Sequence, residues 1–364
     1  VRRLDEGLQR GCSLTLISAP AGYGKSTILV EWIRARGLPV AWLSLDEGDN
    51  EPARFLAYLL ATLQKVDKSL GEAANKRLQA PDMTALSSLL TALINDITTM
   101  QGAEIVTNPR FMLVLDDFQA INSPAIHEVI DFLLAQQPPQ MHLAILTRQD
   151  PPLALSRLRG RGLVSELRQN DLRFSLEEAN TFLVKSMGLS PSEAEISTLE
   201  ERTEGWIAGL QLAALSMRGL DPAGRAQFIS NFSGRYHFIL DYLTDEVLKR
   251  QPEEGQEFLL QTAVLEQMCG PLCDAVLGYE SPESPTAAVS QSMLEALEHG
   301  NLFLVPMDDE RRWYRYHHLF AELLRARLHE TWPGKAPELH RRAALWYEEN
   351  GFMDLAVDQA CLLY

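Results

Sequence analysis

The chain has 364 residues, of which 46% are hydrophobic and 23% charged, and its net charge is −16. A chain of this length and composition is globular and has room for two or three domains with cores of their own. The negative charge argues against nucleic-acid binding by the chain as a whole, because contacts to phosphates dominate such affinity. No apolar run reaches the length of about eighteen residues that predicts a membrane-spanning helix.

The N-terminus and the cysteines predict a cytoplasmic fragment of a longer protein. The chain starts at Val1 rather than Met, and no signal peptide precedes the first apolar run. Its four cysteines are scattered, and the pair Cys269 and Cys273 has no second Cys or His pair nearby that would complete a zinc site. Reduced thiols without a metal are therefore expected.

Strands and helices alternate in the first part of the chain. Short apolar runs predict strands at Leu14–Ile17, Val40–Leu45, Phe111–Leu115 and Leu143–Thr147. Apolar residues at helical spacing predict helices at Ile28–Arg36, Arg54–Gln64, Thr84–Thr98 and Ile126–Ala135. Such alternation predicts a parallel sheet with helices on both faces. We assign residues 1–165 to an α/β domain of this kind.

A glycine loop, APAGYGKST at Ala19–Thr27, lies between the first predicted strand and the first helix. In a phosphate-binding loop, successive backbone N–H groups surround a phosphate at a helix N-terminus. The usual pattern is GxxxxGK[ST]; because its first position is alanine here, Gly22 and Gly24 supply the flexibility. Lys25 is expected to place its charge on the β- and γ-phosphates, and Ser26 is expected to offer its hydroxyl to Mg²⁺. The predicted nucleotide-binding residues are Ala21, Gly22, Tyr23, Gly24, Lys25, Ser26 and Thr27.

Polar residues directly follow two of the predicted strands. Asp116 and Asp117 come after the third strand, where proteins with a phosphate-binding loop hold Mg²⁺. Asp116 is expected to bind the metal through water, and Asp117 to orient or deprotonate an attacking water. Arg148 follows the fourth strand and could contact the γ-phosphate, assisted by Thr147. The alternatives are a solvated turn for the acidic pair and a surface position for Arg148.

The second part of the chain is mainly helical. A short strand is predicted at Leu172–Phe174 and a β-hairpin at Leu302–Pro306 and Trp313–Tyr316. Capping signals and helical spacing predict a helix from Ser175 to about Met187, a helix opening at Pro191, and helices at Glu204–Met217, Tyr236–Leu265, Met293–Glu298, His317–His329, Glu338–Glu349 and Met353–Leu363. These patterns predict a helical domain over 166–234, a winged-helix domain over 235–330 and the start of a helical arm or TPR-like repeat over 331–364.

Several residues of this part admit a functional or a plain structural role. The paired His317 and His318 could reach a phosphate, but their position at a helix start favours an ordinary one. Trp206 is expected to pack in a core. A local group of arginines could touch DNA, but pairing with nearby acids is the ordinary outcome. These arginines are Arg311, Arg312, Arg315, Arg325 and Arg327.

Seven motifs, in this order, resemble those of a known family. They are APAGYGKST, SLDEGDN at Ser44–Asn50, LVLDDFQAI at Leu113–Ile121, LTR at Leu146–Arg148, GWIAGLQLAALS at Gly205–Ser216, YLTDEVL at Tyr242–Leu248 and YHHLFAELLRARL at Tyr316–Leu328. The chain resembles the N-terminal part of the large ATP-binding regulators of the LuxR type. These belong to the signal-transduction ATPases with numerous domains, called STAND proteins.

The resemblance implies a switch with ATP or ADP and Mg²⁺ as cofactors. Members of this family rest as ADP-bound monomers. ATP together with a small-molecule or protein inducer opens them for self-association and transcription activation. Arg148 takes the role of a sensor arginine, and His317 matches a winged-helix histidine that touches the ADP β-phosphate. DNA would be bound only through a C-terminal helix-turn-helix domain absent from this sequence, and no membrane contact is expected.

Two other functions remain open at this point. The chain could be a dedicated ATPase with fast turnover, although no motif for an acceptor substrate is visible. Its winged-helix unit could also bind DNA directly, against the negative charge of the chain. The switch differs from both in predicting slow hydrolysis that serves as a reset.

Overall fold

The computed structural model describes residues 2–72, 74–75, 86–100, 109–279 and 289–362. The predicted start of a helix at Thr84 and the predicted end of another at Leu363 lie outside these ranges. The chain divides into two compact units. The first comprises Val1–Ala19 and Gly24–Leu172, and the second comprises Pro20–Tyr23 and Arg173–Tyr364.

The first unit contains a five-stranded sheet. Its strands are β1 (Leu14–Ser18), β2 (Val40–Ser44), β3 (Phe111–Asp116), β4 (Met141–Thr147) and β5 (Val164–Arg168). They lie in the order β2-β3-β4-β1-β5, and all four pairings are parallel. The four predicted strands and the parallel sheet are confirmed. The sequence did not reveal β5, because this edge strand, VSELR, has neither an apolar run nor an alternating pattern and is mostly half-buried.

Helices connect the strands of the first unit. They are α1 (Arg2–Gln9), α2 (Lys25–Arg36), α3 (Pro52–Leu63), α4 (Leu86–Thr98), α5 (Pro124–Ala135), α6 (Leu155–Gly160) and the single turn α7 (Gln169–Leu172). The core includes buried apolar residues of β3 together with Phe55 of α3 and Ile130 of α5. Every residue of β3 and β4 is buried, as expected for central parallel strands covered on both faces.

The register of the sheet aligns polar residues at its carboxyl edge. Ser18 at the end of β1 pairs with Thr147 of β4 on one side and with Arg168 of β5 on the other. Ser44 at the end of β2 pairs with Asp116 of β3. In parallel α/β sheets the carboxyl edge is where ligands bind. The glycine loop leaves β1 at this edge.

The second unit is mainly helical. Its helices are α8 (Leu176–Thr181), α9 (Glu193–Thr203), α10 (Ile207–Met217), α11 (Pro222–Asn231), α12 (His237–Leu243), α13 (Glu253–Thr262), α14 (Gly270–Leu277), α15 (Val289–His299), α16 (His318–Thr331), α17 (Ala336–Glu349) and α18 (Met353–Cys361). Single π-helical turns, Phe182–Ser186 and Thr244–Leu248, continue α8 and α12. The predicted hairpin is present as antiparallel strands β6 (Leu304–Pro306) and β7 (Tyr314–Tyr316).

Three predictions about the second part were wrong in detail. Leu172–Phe174 is not a strand, because Leu172 ends the helical turn α7. The helix predicted at Tyr236–Leu265 is interrupted between Leu248 and Glu253, where Pro252 cannot continue a helix. The helix predicted from Glu204 begins at Ile207, because Glu204 and Gly205 both adopt left-handed backbone conformations. None of the described helices is long and apolar enough to cross a bilayer.

Candidate functional site

The glycine loop has the backbone of a phosphate-binding loop. Gly22 and Gly24 have φ values of 76° and 74°, in the left-handed region that glycine adopts without a steric penalty. Gly24 directly precedes α2, so the first-turn N–H groups of this helix face the loop. Together with the strand order, this loop makes the first unit an α/β domain of the P-loop NTPase class.

Lys25 lies in the first turn of α2 and is half-buried. Its Nζ donates a hydrogen bond to the carbonyl oxygen of Ala19 at 2.8 Å. Burial and the nearby positive charge of Arg148 lower the pKa of the Lys25 ammonium to about 8, against the opposing effect of Asp117 and Asp116. The ammonium is therefore charged at neutral pH, and binding a polyanion would raise this pKa. The following Thr27 has an exposed side chain.

Ser26 and Asp116 are in direct contact. The Ser26 hydroxyl donates to Asp116 Oδ2 at 3.0 Å, and the Asp117 backbone N–H donates to Asp116 Oδ1 at 3.0 Å. Burial raises the pKa of the Asp116 carboxyl, although the Ser26 hydrogen bond opposes this effect. A bound cation would offset the cost of burying the charge. The two side chains therefore supply oxygens of the kind that suits Mg²⁺.

The described residues contain no group of three or more His, Cys, Asp or Glu side chains that could hold a metal ion. Mg²⁺ is usually bound through one or two protein carboxylates, water and substrate phosphates, so it does not need such a group. The pair Ser26 and Asp116 fits this mode of binding.

Asp117 and Arg148 follow adjacent strands, and one glutamine links them. Asp117 is exposed and adopts a left-handed conformation, with φ 55°. Gln119 donates from Nε2 to Asp117 Oδ1 at 2.8 Å and accepts from the Arg148 backbone N–H at 2.9 Å. Arg148 itself is half-buried. Thr147 is fully buried, and its hydroxyl donates to the Gln149 carbonyl oxygen at 2.7 Å, so it serves the turn after β4.

The apex of the glycine loop, Pro20–Tyr23, belongs to the second unit and is held there by its carbonyl groups. Trp206 Nε1 donates to the Ala21 carbonyl oxygen at 3.0 Å. The Ala208 backbone N–H, in the first turn of α10, donates to the Gly22 carbonyl oxygen at 3.1 Å. This first-turn N–H has no partner within its own helix, so the loop satisfies it. Sequence reasoning assigned Trp206 to core packing and missed this contact, because no pattern marks a tryptophan as a hydrogen-bond donor.

Aromatic rings surround the loop apex within the second unit. Tyr23 is 2% exposed, and its ring lies 6.1 Å from that of Phe303. Phe303 in turn packs edge-on against Trp206 at 5.3 Å and against His317 at 5.5 Å. Because the Ala21 and Tyr23 side chains are buried, only their backbone groups are suited to contact a phosphate.

His317 is fully buried next to this aromatic group. Its Nε2 lies 2.8 Å from the carbonyl oxygen of Thr203, which can only accept, so Nε2 carries a proton. Its Nδ1 has no hydrogen-bond partner among the described residues. Burial lowers the pKa of the imidazole to about 4, although the carboxylate of Glu204 opposes the shift. The ring is therefore neutral at pH 7, with a free lone pair on Nδ1.

Glu204 joins α9 to the β-hairpin. Both carboxylate oxygens accept from the Arg315 guanidinium, at 2.8 and 2.9 Å, and one also accepts from the His318 backbone N–H at 3.1 Å. Burial alone would raise the pKa of the Glu204 carboxyl, but the hydrogen bonds from Arg315 and the His318 backbone, together with nearby positive charge, lower it to about 2. This bidentate pair fixes the residues that flank His317.

The arginines near the hairpin are engaged by acids or by backbone carbonyls. Besides the pair of Arg315 with Glu204, the contacts are Arg311 with Glu298, Arg312 with Glu310, Arg327 with Glu330 and Arg325 with the Ala263 carbonyl oxygen. Such pairing leaves little uncompensated positive charge for a nucleic-acid backbone.

Comparison with known proteins shows what the chain is similar to. Residues 244–336 match the family model described as the MalT winged helix domain. The HTH-type transcriptional regulator MalT of Klebsiella pneumoniae is 36% identical over 349 residues, which cover 95% of this chain and 37% of that protein. The chain is thus similar in sequence to MalT over nearly its whole length. The serine/threonine-protein kinase PknK of Mycobacterium tuberculosis is 34% identical over 350 residues, 95% of this chain and 30% of that protein.

The MalT-like chain thus spans about a third of the length of these relatives. Among solved structures, a RuvB mutant of Thermotoga maritima matches with a TM-score of 0.40 and 14% identity, over 86% of this chain and 90% of that one. The fold class rests on the strand order and the glycine loop described above.

Proposed function

We propose that this MalT-like chain is the ATP- and ADP-dependent switch of a bacterial transcriptional activator. In the ADP-bound state the protein is a closed monomer. ATP and an inducer open it and allow self-association, and slow hydrolysis of ATP returns it to the resting state. A ligand drives such a change only if it interacts differently with the two states. The γ-phosphate and His317 supply that difference.

The observation that carries this proposal is the buried, unpartnered Nδ1 of His317. A fully buried polar atom without a partner is costly, so it calls for an explanation such as a ligand. Trp206 and Phe303 contact both the His317 ring and residues of the glycine-loop apex. We therefore assign Nδ1 of His317, protonated when the nucleotide binds, as a donor to a phosphate oxygen of ADP. The resemblance noted above assigns the same role to this residue.

Hydrolysis would use the polar edge of the sheet. Lys25 would hold the β- and γ-phosphates, and Ser26 and Asp116 would hold Mg²⁺, which would supply charge neutralisation for the transferred phosphoryl group. Asp117 orients or deprotonates the attacking water, and Arg148 contacts the γ-phosphate. These roles need only positioning and electrostatic stabilisation, as in phosphoryl transfer generally.

The names of the relatives support the proposal that this chain controls an activity carried by another part of the protein. The same region occurs in a protein named as a transcriptional regulator and in one named as a protein kinase. One module combined with two kinds of named protein is better suited to control than to a dedicated reaction. DNA contact is accordingly assigned to a domain beyond this sequence, in agreement with the paired arginines near the hairpin.

Calorimetry with ADP and with a non-hydrolysable ATP analogue tests the proposal. The Lys25→Ala variant is expected to lose both ligands, by about a hundredfold, because it removes a charged donor to the phosphates. The His317→Ala variant is expected to weaken ADP about tenfold and the ATP analogue much less. His127→Ala is the control, because His127 Nε2 bonds the Ile121 carbonyl oxygen at 3.1 Å and its ring packs against Phe118 in the first unit.

Equal losses of both ligands in His317→Ala would refute the switch role of this histidine. Wild-type phosphate release in the range of about 1–100 s⁻¹, which is typical of kinases, would favour a dedicated ATPase instead. A gel shift that weakens steeply with salt would support direct DNA binding. Identification of the copurifying nucleotide would establish the resting state.

A further inference from the structure

Gln119 hydrogen-bonds to the two predicted catalytic residues, Asp117 and Arg148, that directly follow the strands β3 and β4. It belongs to the single helical turn Phe118–Ala120, which directly follows Asp117. Its Nε2 donates to Asp117 Oδ1 at 2.8 Å, and its Oε1 accepts from the backbone N–H of Arg148 at 2.9 Å. A single side-chain amide therefore joins the residue after β3 to the residue after β4.

The turn that carries Gln119 is itself firmly held. Asn50, from the loop after β2, donates to the Ala120 carbonyl oxygen at 2.8 Å. The same side chain accepts from the backbone N–H groups of Asn122 at 2.6 Å and Ser123 at 3.0 Å. Phe118 anchors the turn in the core at 1% exposure. With its backbone fixed, Gln119 holds its two partners in a defined geometry.

Asp117 needs such support because it is exposed. A carboxylate in water samples several rotamers, and only some of them point at a reacting water. One hydrogen bond from a fixed amide limits this sampling without adding charge. Glutamine suits the position because its amide donates and accepts at once. Glutamate would keep the acceptor for the Arg148 N–H but would lose the donor and repel Asp117.

We propose that Gln119 is a positioning residue for ATP hydrolysis, which orients the Asp117 carboxylate and fixes the backbone at Arg148. This inference rests on the proposed function, since it takes the roles of Asp117 and Arg148 from there. Misplacement of a reacting group by about 1 Å can cost a hundredfold in rate. The effect falls on the chemical step, because Gln119 donates to Asp117 rather than to a residue of the glycine loop.

Steady-state phosphate release and calorimetry with the non-hydrolysable analogue test this role together. In Gln119→Ala we expect kcat to fall by about tenfold to a hundredfold, with analogue affinity within about twofold of wild type. In Gln119→Glu, which keeps only the acceptor, we expect a loss at least as large. The matched control is Gln137→Ala, because Gln137 donates to the carbonyl oxygen of Met141 at the opposite end of β4.

The outcomes separate the two proposals. If wild type hydrolyses ATP and Gln119→Ala retains its kcat, the positioning role is refuted and the proposed function stands. A parallel loss of affinity and kcat in Gln119→Ala would show a purely structural role and also refute it. A wild-type chain that binds no nucleotide would refute the proposed function and this inference with it. A selective loss of kcat, absent from Gln137→Ala, supports both.

Discussion

The polar sheet edge of the first unit and the aromatic surroundings of the loop apex in the second unit are built differently. At the sheet edge, Asp117 is exposed and Arg148 is half-buried, and a neutral amide connects them. Around the loop apex, Trp206 and His317 are fully buried. The first arrangement places charged groups near solvent, with the Asp117 carboxylate and the Arg148 backbone hydrogen-bonded to Gln119. The second is buried and close-packed, so that bulk water cannot readily replace its hydrogen bonds.

This difference predicts that substitutions will have different consequences in the two regions. Water can replace a lost contact at the sheet edge, so changes there alter geometry more than stability. Around the apex, a lost donor leaves a buried carbonyl unsatisfied, and an added methyl group meets atoms already in contact.

The largest effect is expected from Gly22→Ala. An added Cβ would lie 2.6 Å from Ala208 Cβ and 2.7 Å from Trp206 Nε1, at a φ of 76°. The left-handed backbone and the overpacking together cost about 2–5 kcal/mol of stability. The control Gly37→Ala has a similar φ of 62° but no atom within 4 Å of the new Cβ, so about 1 kcal/mol is expected. Urea titration followed by circular dichroism measures both; similar losses would contradict close packing at the apex.

A smaller effect is expected from Trp206→Phe, which removes the donor to the Ala21 carbonyl oxygen. We expect ADP affinity to fall about tenfold, since the loop loses a buried hydrogen bond that fixes its apex. Trp32→Phe is the matched control: Trp32 is equally buried, and its Nε1 donates at 2.7 Å to Asp5. Asp5 is in part exposed and can bond to water instead. An equal change of ADP affinity in both variants would show that the apex contact is unimportant.

The smallest effect is expected from pH, through His317. Its Nε2 proton is committed to Thr203, so contact between Nδ1 and a phosphate oxygen requires a second proton. The pKa of the free ring is lowered to about 4, and a phosphate would raise it. Binding of ADP therefore takes up protons, and affinity increases as pH falls.

Calorimetry between pH 8 and pH 6 measures this linkage. We expect the affinity of wild type to increase more than that of His317→Gln, by about threefold, because only part of a proton is taken up in this range. His142→Gln is the control. Burial lowers the pKa of His142 to about 4 as well, but this ring bonds Thr15 Oγ1 at 2.8 Å inside the sheet. Parallel curves for wild type and His317→Gln would refute the phosphate contact.

Local patterns in the sequence were sufficient for most of the first unit. Apolar runs identified the strands β1 to β4. The loop has glycine at positions 22 and 24, where the sequence predicted flexibility, and both glycines adopt left-handed φ values. The edge strand β5 escaped notice, because a half-exposed strand lacks an apolar run. In the second unit, Pro252 and the left-handed Glu204 shortened helices that apolar spacing alone had extended.

The sequence by itself determined the α/β class, the glycine loop and the acidic pair Asp116 and Asp117, because these depend on residue type and short-range order. Tertiary structure alone decided that Gln119 links Asp117 to the backbone of Arg148 and that Trp206 holds the loop apex. The hydrogen bond between Gln119 and Arg148 joins residues 29 positions apart, and the one between Trp206 and Ala21 joins residues 185 positions apart. No local pattern encodes them, since they form only when separate segments pack together.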